Sequence, residues 1–216
     1  IATAITAGDE HTCALLDNSS VKCWGKNSSG QLGLGDTSNR GDGSNEMGDN
    51  LTSIDLGSGR IATAITAGDE HTCALLDNAS VKCWGENDKG QLGLGNRDDR
   101  GDGIGGMGDS LPAVDMGSGR TATSITTGTE YTCVLLDDDS VKCWGRGHVG
   151  QLGNEKTEDR GDEPGETGEG FAKVDLGSNR TATAIAAGNF HTCAILDNSS
   201  IKCWGLNDSG QLGIGD

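Results

Sequence analysis

The feature that most constrains this chain is a repeat of 60 residues. The run ITAGDEHTCALLDNSSVKCWGKNSSGQLGLG at 5–35 returns as ITAGDEHTCALLDNASVKCWGENDKGQLGLG at 65–95, and more loosely from Ile125 and Ile185. Cysteines fall at 13, 73, 133 and 193, and again at 23, 83, 143 and 203. A unit copied at fixed period cannot bury its apolar face alone and must stack on its neighbours. Residues 1–216 therefore read as one array, with units 1–60, 61–120, 121–180 and a partial fourth at 181–216. The chain opens inside a strand-like run and stops partway through a unit, so we expect a mature piece of a longer array.

Composition narrows the partners. Only 33% of residues are hydrophobic and 3% aromatic, and 37 are glycine. Small strands held by glycine turns and stapled covalently can close a core from so little. Lys and Arg number 16 against 33 Asp and Glu, a net charge of −17. Such a surface repels phosphate, so nucleic acid is not an expected partner. No stretch approaches the roughly 18–20 apolar residues of a membrane span, and no membrane insertion is expected.

Four short segments across the first joint have strand character: Leu51–Leu56, Thr63–Ala67, Thr72–Leu76 and Ser80–Trp84. Each is rich in Thr, Ile, Val and Leu and bounded by Gly, Asn, Asp or Ser. No sustained helical period exists. Alternation puts Cys13 and Leu15 on one face of the last hairpin and Ala14 and Leu16 on the other. A three-residue loop at Asp17–Ser19 sets Leu15 opposite Val21 and Cys13 opposite Cys23. Both faces carry apolar side chains, so the sheet needs covering on both sides, as in stacked propeller blades.

Eight cysteines make two per unit: Cys13/Cys23, Cys73/Cys83, Cys133/Cys143 and Cys193/Cys203. Repeat symmetry leaves two pairings, within each unit or between neighbours, and the hairpin register makes the first sterically reasonable. The spacing is not that of a zinc site. Disulfides imply an oxidising compartment, hence a secreted or cell-surface protein. Trp24, Trp84, Trp144 and Trp204, one per unit, read as packing anchors between neighbouring blades.

Ala7-Gly8, His11-Thr12, Trp24-Gly25 and Gly30-Gln31-Leu32-Gly33 recur at each period, with Thr127 and Tyr131 departing in the third copy. These motifs resemble the regulator-of-chromosome-condensation repeat. The resemblance implies an all-β fold of four-stranded blades in a β-propeller, here an open or partial array. Nuclear members of that family act as nucleotide-exchange factors on a small GTPase and lack the hairpin cysteines. Paired cysteines and strong negative charge set this chain apart as a secreted, disulfide-bearing variant.

Each complete unit also carries an acidic insertion, at 36–50, 96–110 and 155–169. Asp36, Asp42, Glu46 and Asp49 supply hard oxygens that would suit Ca2+ in an extracellular loop, although Arg40 occupies the place of a ligand in the usual loop pattern. Arg-Gly-Asp recurs at 40–42, 100–102 and 160–162, a receptor-type tripeptide or simply a turn with local ion pairs. Asn18, Asn78 and Asn198 are glycosylation acceptors sharing one hairpin-tip position. His11, His71 and His191 share a position with Tyr131, which a strand-edge hydrogen bond to backbone explains for both residue types. No catalytic motif is present, and we expect no enzyme and no cofactor beyond Ca2+. The expected role is an extracellular structural or adhesive repeat module that assembles with itself into a fibre or appendage. The alternative is a propeller that binds one protein or glycan, as secreted inhibitors and lectins do.

Overall fold

The computed structural model describes residues 1–215. Twelve strands form four separate antiparallel sheets of three. The first blade holds β1 (Ala2–Ala7), β2 (His11–Leu16) and β3 (Val21–Gly25). The second holds β4 (Ala62–Ala67), β5 (His71–Leu76) and β6 (Val81–Gly85). The third holds β7 (Ala122–Thr127), β8 (Tyr131–Leu136) and β9 (Val141–Gly145). The fourth holds β10 (Ala182–Ala187), β11 (His191–Leu196) and β12 (Ile201–Gly205). Besides strands there are only three-residue 3-10 turns at Gly48–Asn50, Gly108–Ser110 and Gly168–Gly170 among the described residues.

The hairpin register follows from the turn. Ser19, Ala79, Asp139 and Ser199 adopt φ near +60° (63°, 62°, 60° and 64°). That is the left-handed residue closing a three-residue hairpin loop. It pairs Leu15 with Val21 and Cys13 with Cys23, and likewise in every blade. Bonds join Cys13–Cys23, Cys73–Cys83, Cys133–Cys143 and Cys193–Cys203, each across a Cα separation of 4.1 Å. Pairing is thus within units and not between neighbours.

Where four strands per blade were expected, three are laddered. The fourth segment, 51–56, lies beside β3 but shares one backbone bond with it, Ile54 N–H to the Val21 carbonyl at 2.9 Å. Val114 and Val174 repeat that bond to Val81 and Val141 at 2.8 and 2.9 Å. Leu51, Ile54 and Leu56 are all buried. Inward residues three and then two apart break the two-residue pleat a ladder requires. Side chains wedged between blades hold this segment in place of a ladder.

The core lies between blades. Cys13, Leu15, Val21, Cys23 and Leu32 pack on Ala62, Ala74, Leu76 and Trp84 of the next blade. Cys73, Leu75, Val81, Cys83 and Leu92 meet Ala122, Val134, Leu136 and Trp144 in the same way. The third junction repeats it with Cys133, Leu135 and Val141 against Ala182, Ala194 and Leu196. One face of each hairpin thus covers the opposite face of its neighbour, as side-chain parity requires. Replacing both Cys73 and Cys83 with Ala removes a constraint on a ten-residue separation. We expect it to lower stability by about 2–3 kcal/mol, read from urea denaturation of oxidised protein.

Candidate functional site

Polar groups fix how the blades sit on one another. The Gln31 carbonyl accepts from Thr72 Oγ1 at 2.9 Å and from Trp84 Nε1 at 3.0 Å, both on the next blade. Gln91 takes Thr132 and Trp144 at 2.9 and 3.0 Å, and Gln151 takes Thr192 and Trp204 at 3.0 and 2.9 Å. The single Thr72 proton is committed to Gln31, so His11 Nε2 donates to Thr72 Oγ1 at 2.8 Å. His71 meets Thr132 at 3.0 Å in the same sense. That tautomer leaves Nδ1 of both rings unprotonated, and His71 Nδ1 is buried without a partner among the described residues. Beside the backbone bond expected at this position, His11 and His71 thus bond a hydroxyl of the next blade. Tyr131 reaches backbone across the junction, its one hydroxyl proton directed to the His191 carbonyl at 2.5 Å with the Gly188 carbonyl 3.0 Å away.

The expected packing anchors Trp84 and Trp144 lie fully buried at these junctions. Trp204 is partly exposed on the last blade, and Trp24, on the first, has no preceding blade against it. The Arg-Gly-Asp tripeptides are also inter-blade structure. Arg40 exchanges two backbone bonds with Gly25, at 2.7 and 3.1 Å, and Arg100 and Arg160 do so with Gly85 and Gly145. The glycine that follows takes positive φ, +89° at Gly101 and +87° at Gly161. Its carbonyl accepts Gly35 or Gly95 N–H of the preceding blade at 3.0 or 2.9 Å.

The acidic insertions are tied down rather than gathered. Asp36 accepts from Ser38 N–H at 2.8 Å and Arg40 at 2.6 Å, while Glu46 accepts Gly41 and Gly43 N–H, both at 2.8 Å. Asp42 is exposed beside Asn39. Asp49 sits on the first 3-10 turn, and its equivalents Asp109 and Glu169 accept Ser58 and Ser118 N–H of the preceding unit at 2.7 and 2.9 Å. Buried Lys82 Nζ donates to the Leu56 and Gly108 carbonyls at 3.0 and 2.7 Å, holding the same insertion to the blade. Asp36 and Glu46 thus hold separate donors, Asp42 lies beside Glu46, and the four expected Ca2+ ligands form no common cluster among the described residues. Asn18, Asn78 and Asn198 are exposed at the hairpin tips. Their Oδ1 atoms accept from the serine two residues on, as in Ser20 Oγ to Asn18 at 2.8 Å.

Residues that differ between copies meet on one face. Lys26 Nζ bridges Glu10 at 2.7 Å and Glu70 at 2.6 Å, and Ser29 Oγ also reaches Glu70 at 2.8 Å. Arg146 pairs with Glu130, and its guanidinium lies 5.9 Å over the Phe190 ring, which His148 meets edge-on at 5.6 Å. Between these two cations stands Glu86. Its carboxylate accepts from Gln91 at 3.1 Å, and one oxygen each of Glu86, Asp88 and Glu130 lie within 4.8 Å of one another. Burial, helped by Asp88, Glu70 and Glu130, pushes the Glu86 carboxyl up to about 7. Burial and the charges of Asp9, Glu70 and Glu130 likewise raise Asp69. Beside this rim lies a cavity of about 440 Å³ lined by Asp9, Asp69, Thr129, Asn189 and Phe190 among others. Sequence reading passed over Glu86, although comparing positions 26, 86, 146 and 206 (Lys, Glu, Arg, Leu) carries the signal.

Two expectations follow. Burial lowers His11 to about 4 and His71 to about 3, from an ordinary value of 6.5. Both are neutral when folded, whereas the unfolded chain takes up their protons below pH 6.5. Their contribution is therefore complete above that pH and falls by about 1.4 kcal/mol per pH unit per histidine as acid is added, down to the folded values. His71→Tyr, which copies Tyr131, should remove one of the two slopes, read as the wild-type-minus-variant difference in urea stability at pH 7, 5.5 and 4.5. Separately, neither millimolar Ca2+ nor a chelator should move the thermal midpoint, because the insertion carboxylates already hold their donors.

Comparison with known proteins agrees with this architecture. The family model described as the regulator of chromosome condensation (RCC1) repeat matches residues 2–31, 62–91, 122–151 and 182–211. A second model of that description matches 20–75, 80–135 and 138–195. The ultraviolet-B receptor UVR8 of Arabidopsis thaliana is 30% identical across 98% of this chain and 43% of its own length. The human probable E3 ubiquitin-protein ligase HERC3 is 32% identical across 98% of this chain and 18% of its own. The chain thus spans less than half the length of either relative. Human WBSCR16 superposes with a TM-score of 0.75 at 18% identity, over 100% of this chain and 50% of that one. Yeast RCC1 (Prp20), solved bound to Kap60, gives 0.72 at 25% identity, over 97% and 44%. Period, blade register and family match together make this chain a disulfide-bearing member of the regulator of chromosome condensation repeat family.

Proposed function

We propose that this chain is an extracellular, non-catalytic binding module that recognises a basic segment of a partner protein on its loop face. One observation carries the reading. Residues shared by all copies make the inter-blade junctions, whereas those that vary meet on a single face, where Glu86 occupies the place that a cation fills in the first and third blades. Retained like-charge repulsion in a partly buried position marks a functional surface more often than a structural one. A lysine or arginine from a partner would complete the pattern set by Lys26 and Arg146. Four within-hairpin disulfides and no free cysteine suit an oxidising compartment, where the exposed Asn18, Asn78 and Asn198 would be open to glycosylation. Yeast RCC1 bound to Kap60 supports protein binding as the general role of such a propeller.

Titrating the chain with a Lys/Arg-rich peptide in a calorimeter tests the loop-face reading. We expect salt-sensitive binding that Glu86→Lys weakens by about tenfold or more, without lowering the thermal midpoint, since the new ammonium pairs with Glu70 and Glu130. Equal affinity in wild type and variant contradicts it.

A further inference from the structure

Seven Asn-x-Ser/Thr triplets stand in the chain, four besides those at the hairpin tips. The structure divides these four. Asn27 is wholly buried, and its Nδ2 donates to the Asp36 and Ser38 carbonyls at 2.7 and 3.1 Å while Oδ1 accepts Leu32 N–H at 2.9 Å. Both amide protons are in use, and a sugar on Nδ2 would displace one of them. Asn87 repeats the arrangement on the Asn96 and Asp98 carbonyls, and Asn207 holds Leu212 N–H at 2.9 Å, so this position serves the loop. Asn50 and Asn179 differ. Both are exposed, and neither side chain commits its amide to a hydrogen bond among the described residues. Exposure belongs to the positions themselves, since Ser110 and Gly170, and likewise Gly59 and Gly119, are exposed in the other units. Asn179 takes φ 58° where Gly59 and Gly119 take 70° and 69°, and asparagine is among the few side chains that enter left-handed backbone readily.

We propose that Asn50 and Asn179 are N-glycosylation sites on a eukaryotic secretory route, that Asn27 is not, and that the glycans stand at the end of the blades away from the loop face. The co-substrate is a lipid-pyrophosphate oligosaccharide. Asn Nδ2 bonds its anomeric carbon, the carbon–oxygen bond to pyrophosphate breaks, and the amide proton leaves with the lipid pyrophosphate. Thr52 and Thr181, two residues on, supply the hydroxyl of the acceptor triplet. The six-residue strands set the two ends of a blade about 16 Å apart. Glu70 precedes β5 at the rim, and Asn78 follows it at the tip. The joint carrying Asn179 is tied to the tip end, where Arg180 pairs with Asp197 at 2.9 Å and the Thr181 carbonyl accepts Asp197 N–H at 3.0 Å. Lys22, one residue into β3 from its hairpin tip, donates to the Gly48 carbonyl at 2.8 Å in the 3-10 turn that Asn50 closes. Asn27 lies at the opposite strand ends, directly after Lys26. The triplet nearest the rim is thus the one whose amide the fold has already consumed.

Secretion of the chain from cultured eukaryotic cells, enzymatic glycan release in heavy-oxygen water and peptide mass spectrometry test this. The expected result is the heavy-oxygen mass tag at Asn50 and at Asn179 in most molecules, and none at Asn27. Thr52→Ala and Thr181→Ala keep each asparagine and remove its acceptor triplet, on side chains outside the junction cores. Each should lose one glycan, read as one step in gel mobility, with unchanged circular dichroism. A secreted, folded chain that is bare at Asn50 or Asn179, that carries a glycan on Asn27, or whose mobility neither variant alters overturns the proposal. Neither variant touches Lys26, Glu86 or Arg146, so peptide binding on the loop face is read independently.

Discussion

The structure depends on one buried carbonyl per junction. No strand ladder joins the four sheets, so each junction rests on side-chain packing and on single bonds such as Gly35 N–H to the Gly101 carbonyl. A buried carbonyl left unpaired there costs about 1–3 kcal/mol. The Gln31 carbonyl instead uses both lone pairs, on Thr72 and on Trp84. These two donors come from neighbouring strands of the next blade, so a single acceptor fixes both its distance and its rotation. The His11 ring completes the chain of bonds and is locked in one tautomer by it. Around this point the hairpin disulfides form part of the apolar floor, with Cys13, Cys23, Cys73 and Cys83 wholly buried.

Function is what that constraint leaves free. A junction repeated three times demands the same residues each time, so His, Thr, Trp, Gln and the cysteines barely vary. The loops at 26–29, 86–89 and 146–149 cross the junctions only outside the apolar core, as Lys26 and Ser29 do to Glu70, and their sequence varies. They converge on one rim, where Lys26 and Arg146 settle the charge of their neighbours and Glu86 does not. A module of this kind keeps a rigid frame and changes its chemistry one loop at a time. Fold alone does not supply function, and the proposed binding rests on the chemistry of this rim.

Much of the frame was legible beforehand because it obeys local rules. The period of 60 showed the stacking, the Asp17–Ser19 turn set the hairpin register, and two apolar faces required cover on both sides. The fourth strand misled because Leu51–Leu56 has strand composition, while its burial follows pegs at 51, 54 and 56. The histidine partner was out of reach for a different reason. His11 bonds Thr72, 61 residues away, and an identical repeat hides whether a contact is made within a unit or across units. The carboxylates of the insertions look like ligands in one dimension. In space, Asp109 crosses to Ser58 of the preceding unit and Glu46 turns back on its own glycines.

The central claim is that a carbonyl clasp joins each blade to the next, and indole hydrogen exchange tests it most directly. In the intact chain at low protein concentration, NMR follows the four Trp Nε1–H signals in deuterated buffer. Trp84 and Trp144, bonded to Gln31 and Gln91, should exchange far more slowly than Trp24, with Trp204 between them. Four indoles exchanging at one common rate would contradict the account.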